Sequence, residues 1–168
     1  TLLIALFLGF SKQRRPLESF VLQFMLCLSV VSLIFILAPA EGPFSKYGFD
    51  TTLQQARYLE HLHGFRNGTR TLVTLKGAEG LVTFPSFHTS WAILLTVAVR
   101  QRKWLFVPSL LLNAAVIVAT LTTGWHYLTD VLGGIGLAVA AILICRRLEP
   151  WLASRNENGV IQRRIANA

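Results

Sequence analysis

Two histidines sit where histidine is costly. His88 lies in "FPSFHTS" (84–90), at the head of the apolar run "WAILLTVAV", and His126 lies in "TTGWHYLTDVLGG" (122–134), at the head of another. Ionisable residues in membrane segments are functional hypotheses by default. Asp130 follows His126 by four residues, the spacing at which helical side chains share a face. A carboxylate bonded to one imidazole nitrogen fixes the tautomer and leaves the other nitrogen as a base or nucleophile. Ser86, just ahead of His88, can cap a helix and also donate to a phosphate oxygen. A helix N-terminus adds free backbone N–H groups, and arginine binds phosphate through paired hydrogen bonds. Together these residue types describe a base or nucleophile beside an anion-binding site.

The elements that must position them are membrane spans. The 168 residues are 53% hydrophobic and 14% charged, with a mean hydropathy of +0.53, whereas soluble domains carry about a quarter charged residues. The expected fold is all-α, a polytopic transmembrane helix bundle forming a single membrane domain over 1–168. Spans are predicted at about 1–10 (partial), 17–38, 86–99, 104–122 and 128–145, followed by a cytoplasmic tail, 146–168. The span after Leu17 covers roughly 33 Å, enough to cross a bilayer core. Ten apolar residues precede "SKQRRP", the reverse of signal-peptide order, so an N-terminally truncated chain is expected. Gly133, Gly134 and Gly136 would let a neighbouring helix approach the last span closely.

Between spans lies the loop 40–83. In "DTTLQQARYLEHLHG", Leu53, Ala56, Leu59 and Leu62 recur at helical spacing beside Tyr58, with a capping box from Thr51 to Gln54 and a stop at Gly64. This predicts a short amphipathic helix, either at the membrane interface or packed as an ordinary loop helix. Trp91, Trp104, Trp125 and Tyr127 fit an interfacial aromatic belt.

Charge fixes the expected orientation. Lys12, Arg14 and Arg15, then Arg100, Arg102 and Lys103, then Arg146, Arg147, Arg155, Arg163 and Arg164 fall on one side when spans alternate. That side should be cytoplasmic, with the loop 40–83, His88 and His126 facing periplasm or exterior, as for a bacterial inner-membrane protein. The net charge of +8 is thus topological, and no nucleic-acid partner is expected. Cys27 and Cys145 sit in apolar runs and suit buried, reduced roles. His61 and His63 read as structural. Membrane lipids are the expected surroundings, and nothing in the sequence sets an oligomeric state.

The motifs resemble a known family. "PSFH", followed 38 residues later by the histidine of "HYLTD", resembles the type 2 phosphatidic acid phosphatase superfamily of membrane lipid phosphatases and phosphotransferases. The phenylalanine of "FPSFH" and the form "HYLTD" look most like the branch that includes inositol phosphorylceramide synthases. The resemblance covers roughly 40–145. It implies a lipid phosphate substrate, no metal or other cofactor, and a phosphohistidine on His126 oriented by Asp130. It also implies that His88 protonates the leaving oxygen and that Ser86 with loop basic residues holds the phosphate. Water would resolve the intermediate in a phosphatase, and an alcohol or lipid acceptor in a phosphotransferase.

Two departures stand beside it. The family's lysine and distant Arg-Pro motif is not intact, since the Arg-Pro in "KQRRP" falls on the cytoplasmic side. The Ser-Arg expected six to seven residues before the second histidine is replaced by Ala119 and Thr120. Arg66 is the first substitute for the missing arginine, then Arg70, then Lys76. A remote alternative uses His88 and His126 as axial haem ligands, but that gives no role to Ser86 or the loop arginines. Another is a catalytically dead scaffold, from which loss of His126 or Asp130 would be expected.

One length does not fit. His88 to Arg100 spans roughly 18 Å of helix, and Lys103 to His126 roughly 35 Å. The histidines meet only if the first helix is extended, the second tilts, or His126 lies beyond its helix end.

Overall fold

The computed structural model describes residues 14–47, 52–69 and 83–166, with side chains described as far as 148. Six helices follow one another among the described residues: α1 (Arg14–Leu37), α2 (Pro43–Lys46), α3 (Leu53–Arg66), α4 (Phe87–Ala98), α5 (Lys103–Thr122) and α6 (Leu128–Ala166). The described residues form a helical membrane bundle without strands. The expected partial span 1–10 lies outside them.

Long uninterrupted apolar runs make α1, α5 and the first part of α6 long and apolar enough to cross a membrane. Their large side chains stay exposed, as lipid-facing side chains do: Ile36, Leu111 and Leu132 among them. The short α4 is surrounded, packing against α1, α5 and α6, while α1 also meets α6. Phe20 and Cys27 of α1, Leu94 and Leu95 of α4, and Ala138 and Ala141 of α6 form the shared core. Asn113 of α5 donates to Thr96 Oγ1 of α4 at 2.8 Å, a polar tie across an otherwise apolar interface. Both cysteines are buried.

Several expectations shift. The helix of the last span runs on to Ala166 instead of ending near Cys145. The capping box lies one residue later, with the Thr52 side chain accepting from Gln55 N and the Gln55 side chain from Thr52 N. α3 continues past Gly64 to Arg66, and the chain leaves it through Gly68 at φ +70°. Its buried stripe is Gln55, Tyr58 and Leu62, while Leu53 is 82% exposed. The tertiary partner, not leucine count, chose the face.

That partner is the link after α5. Phe44, Tyr58 and Leu62 form a second core with Trp125 packed on it. Trp125, expected in an interfacial aromatic belt, packs in this cluster. Trp91 likewise packs its ring against Phe24 and Phe87. Trp104, by contrast, is 63% exposed.

Candidate active site

The polar residues of "FPSFHTS" first answer to the backbone. An unpaired N–H or C=O group inside an apolar bundle is costly, so each is provided for. Ser86 is the N-cap of α4, its hydroxyl oxygen accepting from Thr89 N at 3.3 Å and from Thr89 Oγ1 at 3.1 Å. Ser90 Oγ donates across to the Gly134 carbonyl of α6 at 2.8 Å. The Ser86 N–H bonds to the Asp130 carbonyl at 2.9 Å. These links press the head of α4 onto α6. Gly134 permits it, because a Cβ there would collide with the Ser86 carbonyl oxygen and meet Thr89 Cβ at 2.9 Å. Gly133 faces Phe84 and Pro85, whereas Gly136 has no neighbour within 4 Å among the described residues.

His126 arrives by a different route. α5 stops at Thr122, the chain turns through Gly124 at φ +73°, and α6 begins at Leu128. His126 lies in this link, beyond the helix end, with its N–H bonded back to the Thr120 carbonyl at 3.2 Å. The turn resolves the length mismatch between the spans. Asp130 sits in the first turn of α6, and its Oδ2 accepts the Tyr127 N–H at 2.7 Å. The His126–Asp130 pair is therefore formed by a capping turn and not by two positions on one helix.

The three titratable groups converge. His126 Nδ1 lies 3.6 Å from Asp130 Oδ2, with both side chains 5% exposed. That distance is beyond a hydrogen bond, and Nδ1 is buried with no hydrogen-bond partner among the described residues. The His88 and His126 ring centroids are 6.1 Å apart at an angle of 59°. His126 is buried while His88 is exposed, so the pair runs from the bundle interior to its surface. Among the described residues, no three histidine, cysteine or carboxylate side chains gather as a metal ion's ligands would.

The basic residues expected to hold phosphate are placed unevenly. Arg66, half exposed, donates to Glu41 Oε1 at 2.8 Å, and His63 Nε2 lies 3.2 Å from the same oxygen. Arg70 and Lys76 lie outside the described residues.

Sequence reading gave no functional role to the groups that tie the outer helices to the link before α6. The Tyr58 hydroxyl donates to the Ala40 carbonyl at 3.0 Å and lies 2.9 Å from Thr83 Oγ1. Gln55 Nε2 donates to the Thr123 carbonyl at 3.2 Å, and Phe44 N–H to the Gly124 carbonyl at 3.2 Å. The available signal was Tyr58, an aromatic amid polar loop residues; its partners, 18 and 25 residues away, left no pattern. A cavity of about 580 Å³ opens beside this closure, lined by Phe44, Tyr47, Gln55, Leu121 and Thr123 among others.

Residues 1–144 match the family model described as the PAP2 superfamily. No curated protein matches the chain, and no solved structure does.

Proposed function

The chain belongs to the PAP2 superfamily, and on that premise we propose that it removes phosphate from a lipid phosphate or diphosphate through a phosphohistidine. Superfamily membership supports a phosphatase-type activity in general. The observation that carries the finer reading is the convergence of His88, His126 and Asp130, with ring centroids 6.1 Å apart and an imidazole nitrogen 3.6 Å from the carboxylate.

In this reading Asp130 takes the Nδ1 proton side of His126, so Nε2 attacks phosphorus. The 3.6 Å separation tightens in the loaded site, as catalytic hydrogen bonds do on substrate binding. The bond from phosphorus to the leaving oxygen breaks, that of the lipid alcohol in a monophosphate or the bridging oxygen in a diphosphate, and protonated His88 gives its proton to that oxygen. Water then attacks the phosphohistidine, His88 takes up the water proton, and inorganic phosphate leaves. Splitting one high barrier into two through a covalent intermediate needs no metal. Ser86 sets the N-terminus of α4 against the phosphate, and Arg66, Arg70 and Lys76 supply positive charge from the loop. Arg66 does so by exchanging Glu41 for phosphate.

The basic-rich loops support an active site on the periplasmic or exterior face of a bacterial inner membrane. The forms "FPSFH" and "HYLTD" support the branch that resembles inositol phosphorylceramide synthases. The cavity beside the His126 link favours a second reading, transfer of the phosphate group to an alcohol or lipid acceptor seated there.

Phosphate release by the purified protein in detergent tests the proposal. The panel is phosphatidic acid and prenyl mono- and diphosphates, with His126→Ala in parallel. Release by the wild type alone is expected; equal release by the two proteins would end the mechanism. Activity appearing only when an alcohol acceptor is added would move the reading to transfer.

A further inference from the structure

Tyr58 reaches both chain segments that deliver the histidines. Its phenol lies 2.9 Å from Thr83 Oγ1, three residues ahead of Ser86 and five ahead of His88. Its ring meets the ring of Trp125, the residue before His126, edge to face at 6.1 Å. Phe44 closes the triangle, with centroids 5.5 Å from Tyr58 and 5.2 Å from Trp125. Tyr58 is 2% exposed and Thr83 4%.

The bonding leaves little freedom. A phenol has one proton, and Tyr58 gives it to the Ala40 carbonyl. The Thr83 hydroxyl must then be the donor to the phenol oxygen. Thr83, Tyr58 and Ala40 thus form a directed chain of bonds in which each partner's role is fixed.

Helix packing alone does not set the distance between the two histidines. The contacts of α4 with α6 fix Ser86 against Asp130, but His126 lies in the link ahead of α6. A link is held by what packs on it. Here that is the α2–α3 segment, through Tyr58 on Trp125, Gln55 on Thr123 and Phe44 on Gly124.

We propose that Tyr58 is a positioning residue for the reaction: it ties the Thr83–Ser86 segment to the Trp125–His126 segment and so sets His88 against His126. The proposal rests on the reading of His126 as nucleophile and His88 as acid. Tyr58 acts through these two segments and takes no part in proton transfer. It also makes residues 40–47 and 52–66 part of the catalytic unit, since they supply the outer anchor of both segments.

The test compares kcat and KM for phosphate release from phosphatidic acid and prenyl phosphates in wild type, Tyr58→Phe, Thr83→Val, Thr83→Ser and His126→Ala. Thr83→Val is the milder change, because it leaves the Tyr58–Ala40 bond and the aromatic packing in place. Misplacement of reacting groups by about 1 Å costs on the order of 10²-fold. Thr83→Val and Tyr58→Phe are therefore expected to lower kcat by roughly 10- to 100-fold with KM little changed. Thr83→Ser restores the rate, and the double variant Tyr58→Phe/Thr83→Val is no slower than Tyr58→Phe, as for two ends of one link. A wild-type kcat in Thr83→Val, or a Thr83→Ser as slow as Thr83→Val, overturns the proposal. Hydrogen exchange reads the same link without turnover. The Ser86 and His126 amides, bonded to the Asp130 and Thr120 carbonyls, should both exchange faster in Thr83→Val; unchanged exchange at both also overturns it. Wild-type turnover in His126→Ala would instead overturn the reading of the site, and the exchange result would still decide the link.

Discussion

His88 and His126 stand with ring centroids 6.1 Å apart although 38 residues separate them in the chain. One is anchored at the first turn of a short buried helix, the other in a turn outside any helix. The first is exposed and the second buried. Such an arrangement places one imidazole next to the interior carboxylate and the other at the surface of the bundle.

Removal of the Asp130 charge separates catalysis from folding. Asn at 130 keeps an oxygen to accept the Tyr127 N–H, so Asp130→Asn should unfold close to wild type. Its phosphate release should fall by about 10²- to 10⁴-fold, the usual scale for lost acid–base assistance. Asp130→Ala loses the turn as well and should cost a further ~1 kcal/mol of stability, as lost helix caps do. Thermal melts and initial rates on both variants decide it, and an active Asp130→Asn would remove Asp130 from the mechanism.

If His88 protonates the leaving oxygen, its loss must depend on the leaving group. His88→Ala should be severely slowed on an alkyl lipid phosphate and much less on an aryl phosphate whose phenoxide leaves unaided. Equal losses on the two substrates would place His88 in binding instead of proton transfer.

Arg66 is held by Glu41 at 2.8 Å in the free protein. Glu41→Gln removes that competitor for the guanidinium and should lower KM for the lipid phosphate. Arg66→Ala should raise KM. Each change should be a few-fold, because exposed ion pairs contribute at most about 1 kcal/mol. If neither variant moves KM, the loop arginine at 66 does not hold phosphate.

Gly134 and Gly136 differ by two positions in one helix and should respond oppositely to alanine. At 134 the new Cβ meets the Ser86 backbone, so α4 must draw away and the Ser90–Gly134 bond is lost. Gly134→Ala should lower both melting temperature and activity. Gly136→Ala has open space and should be neutral, or stabilising by up to about 1 kcal/mol from helix propensity. Matching effects at both sites would contradict the packing described.

Burial pushes the Tyr58 phenol above its ordinary value of 10.0. The unfolded chain then ionises at lower pH than the folded one, so this part of the stability is intact below about pH 10 and is lost as pH rises through the folded value. The melting-temperature gap between wild type and Tyr58→Phe should be constant from about pH 6 to 9 and shrink above 10. A gap that begins to close near neutrality would mean that the phenol is not enclosed as described.

Hydropathy and charge are local properties, and what depends on them was legible in the chain alone. The three long apolar helices, the helix in the outer loop and the residues to suspect at 86, 88, 126 and 130 all came from runs and spacings, whereas the span expected over 86–99 is the 12-residue helix Phe87–Ala98, shorter than those long enough to cross a membrane. Where the residues meet did not. The turn that returns His126 to His88 depends on Gly124 and on the Thr120 carbonyl, neither of which periodicity marks. The buried face of the outer helix is Gln55–Tyr58–Leu62 because Phe44 and Trp125 pack there; of the leucine pattern Leu62 lies on that face, while Leu53 and Ala56 are exposed. Of three glycines, Gly133 and Gly134 meet α4's leading end and Gly136 does not. Helical spacing reports which side chains share a face, but the partner of that face is set by contacts between segments far apart in sequence. Only the folded chain brings those segments together, and with them the two histidines.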